Sequence, residues 1–249
     1  MNTYAATSPK NLKMGNIKGI IFDYGGTIDS RGVHWSEIIW DGYRASGTTV
    51  DKETFREAYV YAERELAKVR HIMPDDNFHT LLLKKMQIEL GWLADHGYIS
   101  ADDARRMAPE IASYCYERAR ECVEEARPVL EAIRERHIPM VLVSNFYGNV
   151  QAVLADFNLL QYFESIIESA VVGVRKPDPQ IFRLGVDALG MKPEEVLVVG
   201  DSYKKDIVPA ETIGCRVAWI KGKGWTAEED VVTHPSIIKN IGEVLQAAF

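Results

Sequence analysis

The sequence predicts an α/β fold, a doubly wound and mostly parallel sheet with an all-helical insertion after its first strand. Three observations lead there. Short, continuous apolar runs recur at residues 18–23, 140–143, 196–200 and 216–220, too short for helices and apolar on both faces, as in a covered parallel sheet. Segments with helical periodicity separate the later runs, which implies right-handed crossovers with ligands beyond the strands' carboxyl ends. Residues 32–125 show no strand pattern at all.

Taken in order, residues 1–17 are polar and read as a flexible tail, with Met14 near the natural start. The first strand runs into a glycine turn at Gly25 and Gly26. Within the insertion, Asp51 caps a helix reaching residue 70, Asp76 opens one over 77–95, and Ser100 with Asp103 starts another reaching residue 125. Gly47, Gly91 and Gly97 punctuate this region. Met107, Ile111, Tyr114, Cys115 and Val123 form one stripe of the third helix and read as core. Beyond the strand at 140–143, helices are expected over 147–157, 178–189 and 204–213, with Gly190 and Gly214 as stops, and a short strand over 165–169. The organisation is therefore a core of residues 18–31 and 126–249 with a helical cap of residues 32–125.

The bulk numbers set limits. The chain has 249 residues, 47% of them apolar and 26% charged, which is ordinary for a soluble globular protein. Its formal charge is −7, from 29 basic and 36 acidic residues, and it has no basic run, so nucleic acid is an unfavourable partner. No segment approaches eighteen apolar residues, which argues against a membrane span. Cys115, Cys122 and Cys215 are odd in number and widely spaced, which fits reduced thiols in a cytoplasm. The expected state is a monomer or homodimer.

The chemistry sits at strand ends. Asp23 closes the first apolar run where the chain turns, and Asp201 closes the run at 196–200, with Asp206 five residues on. Ser144 and Asn145 follow the run at 140–143, and Lys176 precedes Pro177 in a loop. Singly, each of these reads equally well as a helix cap or a loop residue. Their joint order, Asp23-x-Gly-Gly-Thr-Ile-Asp-Ser, Val-Ser144-Asn145, Val-Arg-Lys176-Pro-Asp-Pro and Val-Gly-Asp201-Ser-x-x-x-Asp206, resembles the four motifs of the haloacid dehalogenase-like hydrolase superfamily. The likeness covers residues 18–30 and 126–249, and the insertion is similar to that superfamily's helical cap in position and character.

That resemblance implies a Rossmann-like core and a Mg²⁺-dependent phosphohydrolase acting on a small phosphorylated metabolite. Asp23 would be the nucleophile, forming an aspartyl-phosphate. Asp23, the backbone carbonyl of Gly25, Asp201 and Asp206 would hold Mg²⁺. Ser144, the amide of Asn145, Gly26, Thr27 and Lys176 would contact the phosphoryl group, with Lys176 supplying charge.

Position 25 departs from the pattern. Phosphatases of the superfamily usually carry a second aspartate there to protonate the leaving oxygen. Gly25 keeps a carbonyl for the metal and offers no acid. His34, Glu37 and Asp41 are the nearest substitutes in sequence, with His34 read also as an ordinary residue at a helix start. Asp29 reads as a tie within the turn, and Tyr24 as pointing away from Asp23. Three other readings remain: an impaired phosphometabolite- or partner-binding protein, a 2-haloacid dehalogenase, and an enzyme like phosphonoacetaldehyde hydrolase. The last would need a cap lysine such as Lys52, Lys68, Lys84 or Lys85.

Overall fold

The structure, a computed structural model, describes residues 17–249. The tail expected over residues 1–17 lies outside these, apart from Ile17, which is buried in the core. The first strand, β1 (Gly19–Phe22), leads into four helices: α1 (Trp35–Ala45), α2 (Lys52–Lys68), α3 (Phe78–Asp95) and α4 (Ala101–Glu135). The chain continues through β2 (Met140–Ser144), α5 (Val150–Asp156), β3 (Ser165–Glu168), α6 (Ser169–Val172), α7 (Gln180–Leu189) and β4 (Val196–Gly200). It ends with α8 (Val208–Thr212), β5 (Arg216–Ile220), α9 (Ala227–Val231), β6 (Ile237–Ile238) and α10 (Val244–Ala248).

The strands form one six-stranded sheet in the order β3-β2-β1-β4-β5-β6, and every pairing is parallel. Strand order reverses beside β1, so the crevice of a doubly wound sheet opens where β1, β2 and β4 end. Alternation divides the core. Ile20 and Phe22 face one apolar cluster, which continues into the helical insertion, while Ile21 faces a second cluster with Val141, Val198 and Phe182.

The insertion differs from expectation in four places. The region before Asp51 contains α1, whose Ile38, Ile39 and Tyr43 are buried. The cap of α3 is Asn77, whose side chain accepts from Thr80 N, rather than Asp76. Gly91 lies inside α3 and breaks nothing. The helix expected to stop at residue 125 continues to Glu135 through Pro128. An interior proline costs ~3 kcal/mol. Burial of Val129, Leu130 and Ile133 outweighs that at about 1.5–3 kcal/mol each. The boundary placed at residue 125 therefore falls inside one continuous helix.

Beyond the insertion, the helix expected from residue 147 begins only at Val150. Before it, the amides of Gly148 and Val150 donate to the Glu168 carboxylate, which holds that stretch as a loop. The helix expected over 204–213 opens as a wide turn over Tyr203–Ile207, with the amide of Ile207 reaching back five residues to Ser202 O at 3.3 Å. Among the described residues, no helix is long and apolar enough to cross a membrane.

Candidate active site

Asp23 extends β1 by one residue. Its amide donates to Val199 O at 2.9 Å, which seats its side chain beside the end of β4. Asp201 leaves β4 directly after Gly200, and Trp219 Nε1 pins its carbonyl at 2.6 Å. Asp206 is delivered by the wide turn, and its Oδ2 accepts from the amide of Ser202 at 2.9 Å. One oxygen from each of Asp23, Asp201 and Asp206 lies within 4.8 Å of the others.

Lys176 joins two of these carboxylates. Its Nζ stands 2.6 Å from Asp23 Oδ1 and 2.6 Å from Asp206 Oδ1, and all three side chains are buried. Burial alone would lower the Lys176 pKa, but Asp206 and Asp23 outweigh it and hold the ammonium above its ordinary value. Burial raises the Asp201 carboxyl well above its usual range, and the charges of Asp206 and Asp23 raise it further. A reciprocal pair sets the Lys176 backbone: Asn145 Nδ2 donates to Lys176 O at 3.1 Å, and Asn145 Oδ1 accepts from Lys176 N at 2.9 Å.

The turn after β1 closes the other side. Thr27 Oγ1 lies 3.2 Å from Asp23 Oδ2 and 3.4 Å from Asp201 Oδ1, so it tethers two carboxylates. Asp29 accepts from Gly26 N at 2.7 Å and Trp35 Nε1 at 3.1 Å, the tie within the turn that its position suggests. Gly26 has φ +99, and a Cβ there would stand 2.3 Å from the Asp201 carboxyl carbon. Only glycine allows Asp201 to approach so closely. A Cβ on Gly25 would meet nothing within 4 Å.

Asp23, Gly25, Gly26, Lys176, Asp201 and Asp206 line one cavity of about 680 Å³. Its opposite wall comes from α2, α3 and the loops after β2 and β5. Lys85 is buried there, ion-paired with Glu63 and 4.3 Å from the centre of the Tyr59 ring. Tyr147 donates to the same Glu63 carboxylate at 3.1 Å. Trp225 packs on Tyr59 and His34, with ring centres 5.3 Å away in each case.

The profile of the haloacid dehalogenase-like hydrolases matches residues 17–214. The chain belongs to this hydrolase family. Among curated relatives of this dehalogenase-like chain, a phosphoserine phosphatase of Thermus thermophilus is 31% identical over 156 residues, 57% of this chain. The match spans 62% of that phosphatase's length. Of solved structures, a predicted phosphoglycolate phosphatase from Haemophilus somnus 129PT shares the fold at TM-score 0.55 and 20% identity, over 94% of this chain and 98% of that one. A dehalogenase does so at TM-score 0.60 and 18% identity, over 92% and 96%. At these identities the likeness speaks for the fold, which both chemistries use.

The donor set of this haloacid dehalogenase-like chain fits a hard divalent cation. Three carboxylates converge with one ammonium between them, and oxygen-only coordination is what Mg²⁺ prefers. Of the residues singled out from sequence, Ser144, Asn145, Gly25, Gly26 and His34 line the same cavity as the carboxylates and Lys176. The Gly26 amide donates to Asp29, and the Thr27 hydroxyl lies against Asp23 and Asp201.

The three candidate acids of the cap each have a protein partner. His34 caps α1, its Nδ1 accepting from Ser36 N at 3.2 Å. Burial first, then the Lys205 and Lys85 charges, push its pKa down to about 4, so its ring is neutral at pH 7. Glu37 is ion-paired with Lys52 and Lys223, and Asp41 with Arg44. Tyr24 turns away from the carboxylates and packs its ring edge-on against Phe78 and Phe146. Sequence reasoning missed the Glu63, Tyr147 and Trp225 wall. Its one readable signal was Lys85, a charge on the apolar stripe of Leu81, Leu82 and Met86.

Proposed function

We propose that this chain is a Mg²⁺-dependent phosphohydrolase of small phosphorylated metabolites, working through an aspartyl-phosphate at Asp23. The observation that carries the reading is the meeting of Asp23, Asp201, Asp206 and Lys176 at the carboxyl ends of β1 and β4. Asp23, Asp201, Asp206 and the Gly25 carbonyl would hold Mg²⁺, which when bound supplies charge neutralisation for the transferring phosphoryl group.

The rest is done by the chain. Lys176 and Thr27 each hold one oxygen of Asp23, which restricts the carboxylate's rotation and aims it into the cavity. Asp23 would attack phosphorus in line while the leaving oxygen departs. The Ser144 hydroxyl and Asn145 amide would hold the equatorial oxygens, and Lys176 adds positive charge beside them. Asp206 fixes Lys176 from the far side. No side chain at residue 25 protonates the leaving group, so aryl and acyl phosphates, whose leaving groups need little help, should be turned over better than alkyl phosphates. Three free, buried cysteines support a reducing compartment such as the cytoplasm.

The test is purified protein with Mg²⁺ assayed on aryl, acyl and alkyl phosphates beside Asp23→Asn. Metal-dependent release of phosphate that disappears in Asp23→Asn is the expected result. Binding without turnover, or chloride release from a 2-haloacid without metal, would overturn it.

A further inference from the structure

The cavity is larger than a phosphoryl group needs, and its far wall is chemically distinct. Outside the Asp23–Lys176 cluster, six basic residues line it: Arg64, Lys85, Arg175, Lys204, Lys205 and Lys221. Among the described residues, the acidic side chains that stand against them in the lining are Glu63 and Glu229. This local excess of positive charge occurs in a chain whose formal charge is −7. Arg64, Arg175, Lys204 and Lys205 are exposed at the cavity, while Lys85 is 4% exposed within its wall.

Lys85 is the informative member. An ammonium has three N–H donors. Here one carboxylate, that of Glu63, takes a bond, and the Tyr59 ring lies beside the charge at 4.3 Å. Glu63 is itself shared with the Tyr147 hydroxyl. The ammonium is buried while the side chain of its partner Glu63 is 34% exposed, and both line the cavity, so the charge pair stands at the cavity surface and is not sealed in the core. The pair lines the same cavity as Asp23, Asp201 and Asp206, where it can meet a ligand held by them. An anionic group entering the cavity would find a desolvated ammonium already oriented by Glu63, with long basic side chains at the rim.

We infer that Lys85, oriented by Glu63, is a specificity-determining residue that binds a second anionic group on the leaving-group side of a phosphate monoester. The inference rests on the phosphohydrolase reading of the same site. It also separates Lys85 from a Schiff-base role. Burial alone would lower its pKa, but Glu63 outweighs it and holds the amine charged, which suits recognition of an anion and not attack on a carbonyl.

The experiment compares 3-phosphoglycerate with glycerol 3-phosphate, which differ by a carboxylate in place of a hydroxymethyl group. Their affinities are measured by calorimetry with Mg²⁺ on Asp23→Asn, so that turnover plays no part. The carboxylated ligand should bind about 10- to 100-fold more tightly, the range of one charge-assisted hydrogen bond. Adding Lys85→Met should erase that preference, bringing the two affinities within about three-fold of each other. Equal affinities for the two ligands with the cap unaltered would overturn the inference, and that comparison does not depend on the folding of Lys85→Met. A preference that survives Lys85→Met, with only the melting temperature lowered, would reduce Lys85 to a brace between α2 and α3 and also overturn it. Hydrolysis of acetyl phosphate by the unaltered protein separately reports the phosphohydrolase reading.

Discussion

Replacing Gly25 by aspartate should supply the proton donor that residue 25 of the proposed phosphohydrolase does not offer. The structure sets the size of the perturbation. A Cβ at residue 25 meets no atom within 4 Å, and the residue does not occupy the left-handed region that would strain a side chain. The change therefore fits without displacing Asp23 or Asp201. Stability should rise by about 0.4–1 kcal/mol through the less free unfolded chain, less whatever repulsion the new charge meets from three nearby carboxylates. The kinetic effect is larger. General acid–base catalysis contributes ~10²- to 10⁴-fold, and an alkoxide leaving group needs the proton far more than a nitrophenolate does. Steady-state assays with glycerol 3-phosphate and 4-nitrophenyl phosphate should show kcat rising at least ~10²-fold on the first and much less on the second. Equal gains on both substrates, or losses on both, would refute the reasoning and point to an acid supplied by the cap.

Two further predictions concern the frame around the site. Gly26→Ala, with φ +99 and a Cβ 2.3 Å from the Asp201 carboxyl carbon, should cost about 1–3 kcal/mol of strain and push Asp201 out of place. Phosphatase assays and thermal melts would show lost activity with a lowered melting temperature, and unaltered activity would contradict the close approach. Glu89, buried in the cap and bonded to the Tyr43 hydroxyl at 3.3 Å, has its pKa pushed up to about 8 by burial and by the Glu63 charge, against the opposing pull of Lys85 and the Tyr43 bond. The unfolded chain ionises this group near its ordinary value while the folded protein does not, so the stability it confers is whole at low pH and is lost as pH rises toward 8. Urea unfolding at pH 5 and pH 8 should show Glu89→Gln losing a few kcal/mol less than the unaltered protein across that window, since each pH unit there is worth on the order of 1.4 kcal/mol. Parallel pH dependences would exclude the effect.

Much of the core was legible because its signals are local. Continuous apolar runs in a parallel sheet are buried on both faces, so the strand ending at Phe22 and the one ending at Gly200 stand out, and with them Asp23 and Asp201. The two-residue strand β6 is too short to carry such a signal. The extension of α4 past residue 125 was hidden because the burial of Val129, Leu130 and Ile133 that carries it through Pro128 is tertiary. The cap wall was least legible. Glu63 and Lys85 are 22 residues apart, and Tyr147 lies 84 from Glu63, so no spacing announces that they meet. The second use of Asn145 was equally silent in sequence: its side chain is bonded to the Lys176 backbone 31 residues away.

A calorimetric titration with Mg²⁺ addresses the central claim most directly, since it asks whether oxygens from β1, β4 and the turn after β4 share one ion. One binding site in the unaltered protein, abolished in Asp201→Asn with the fold intact by circular dichroism, is the result expected. Absence of binding in the unaltered protein, or affinity that survives Asp201→Asn undiminished, would contradict the account.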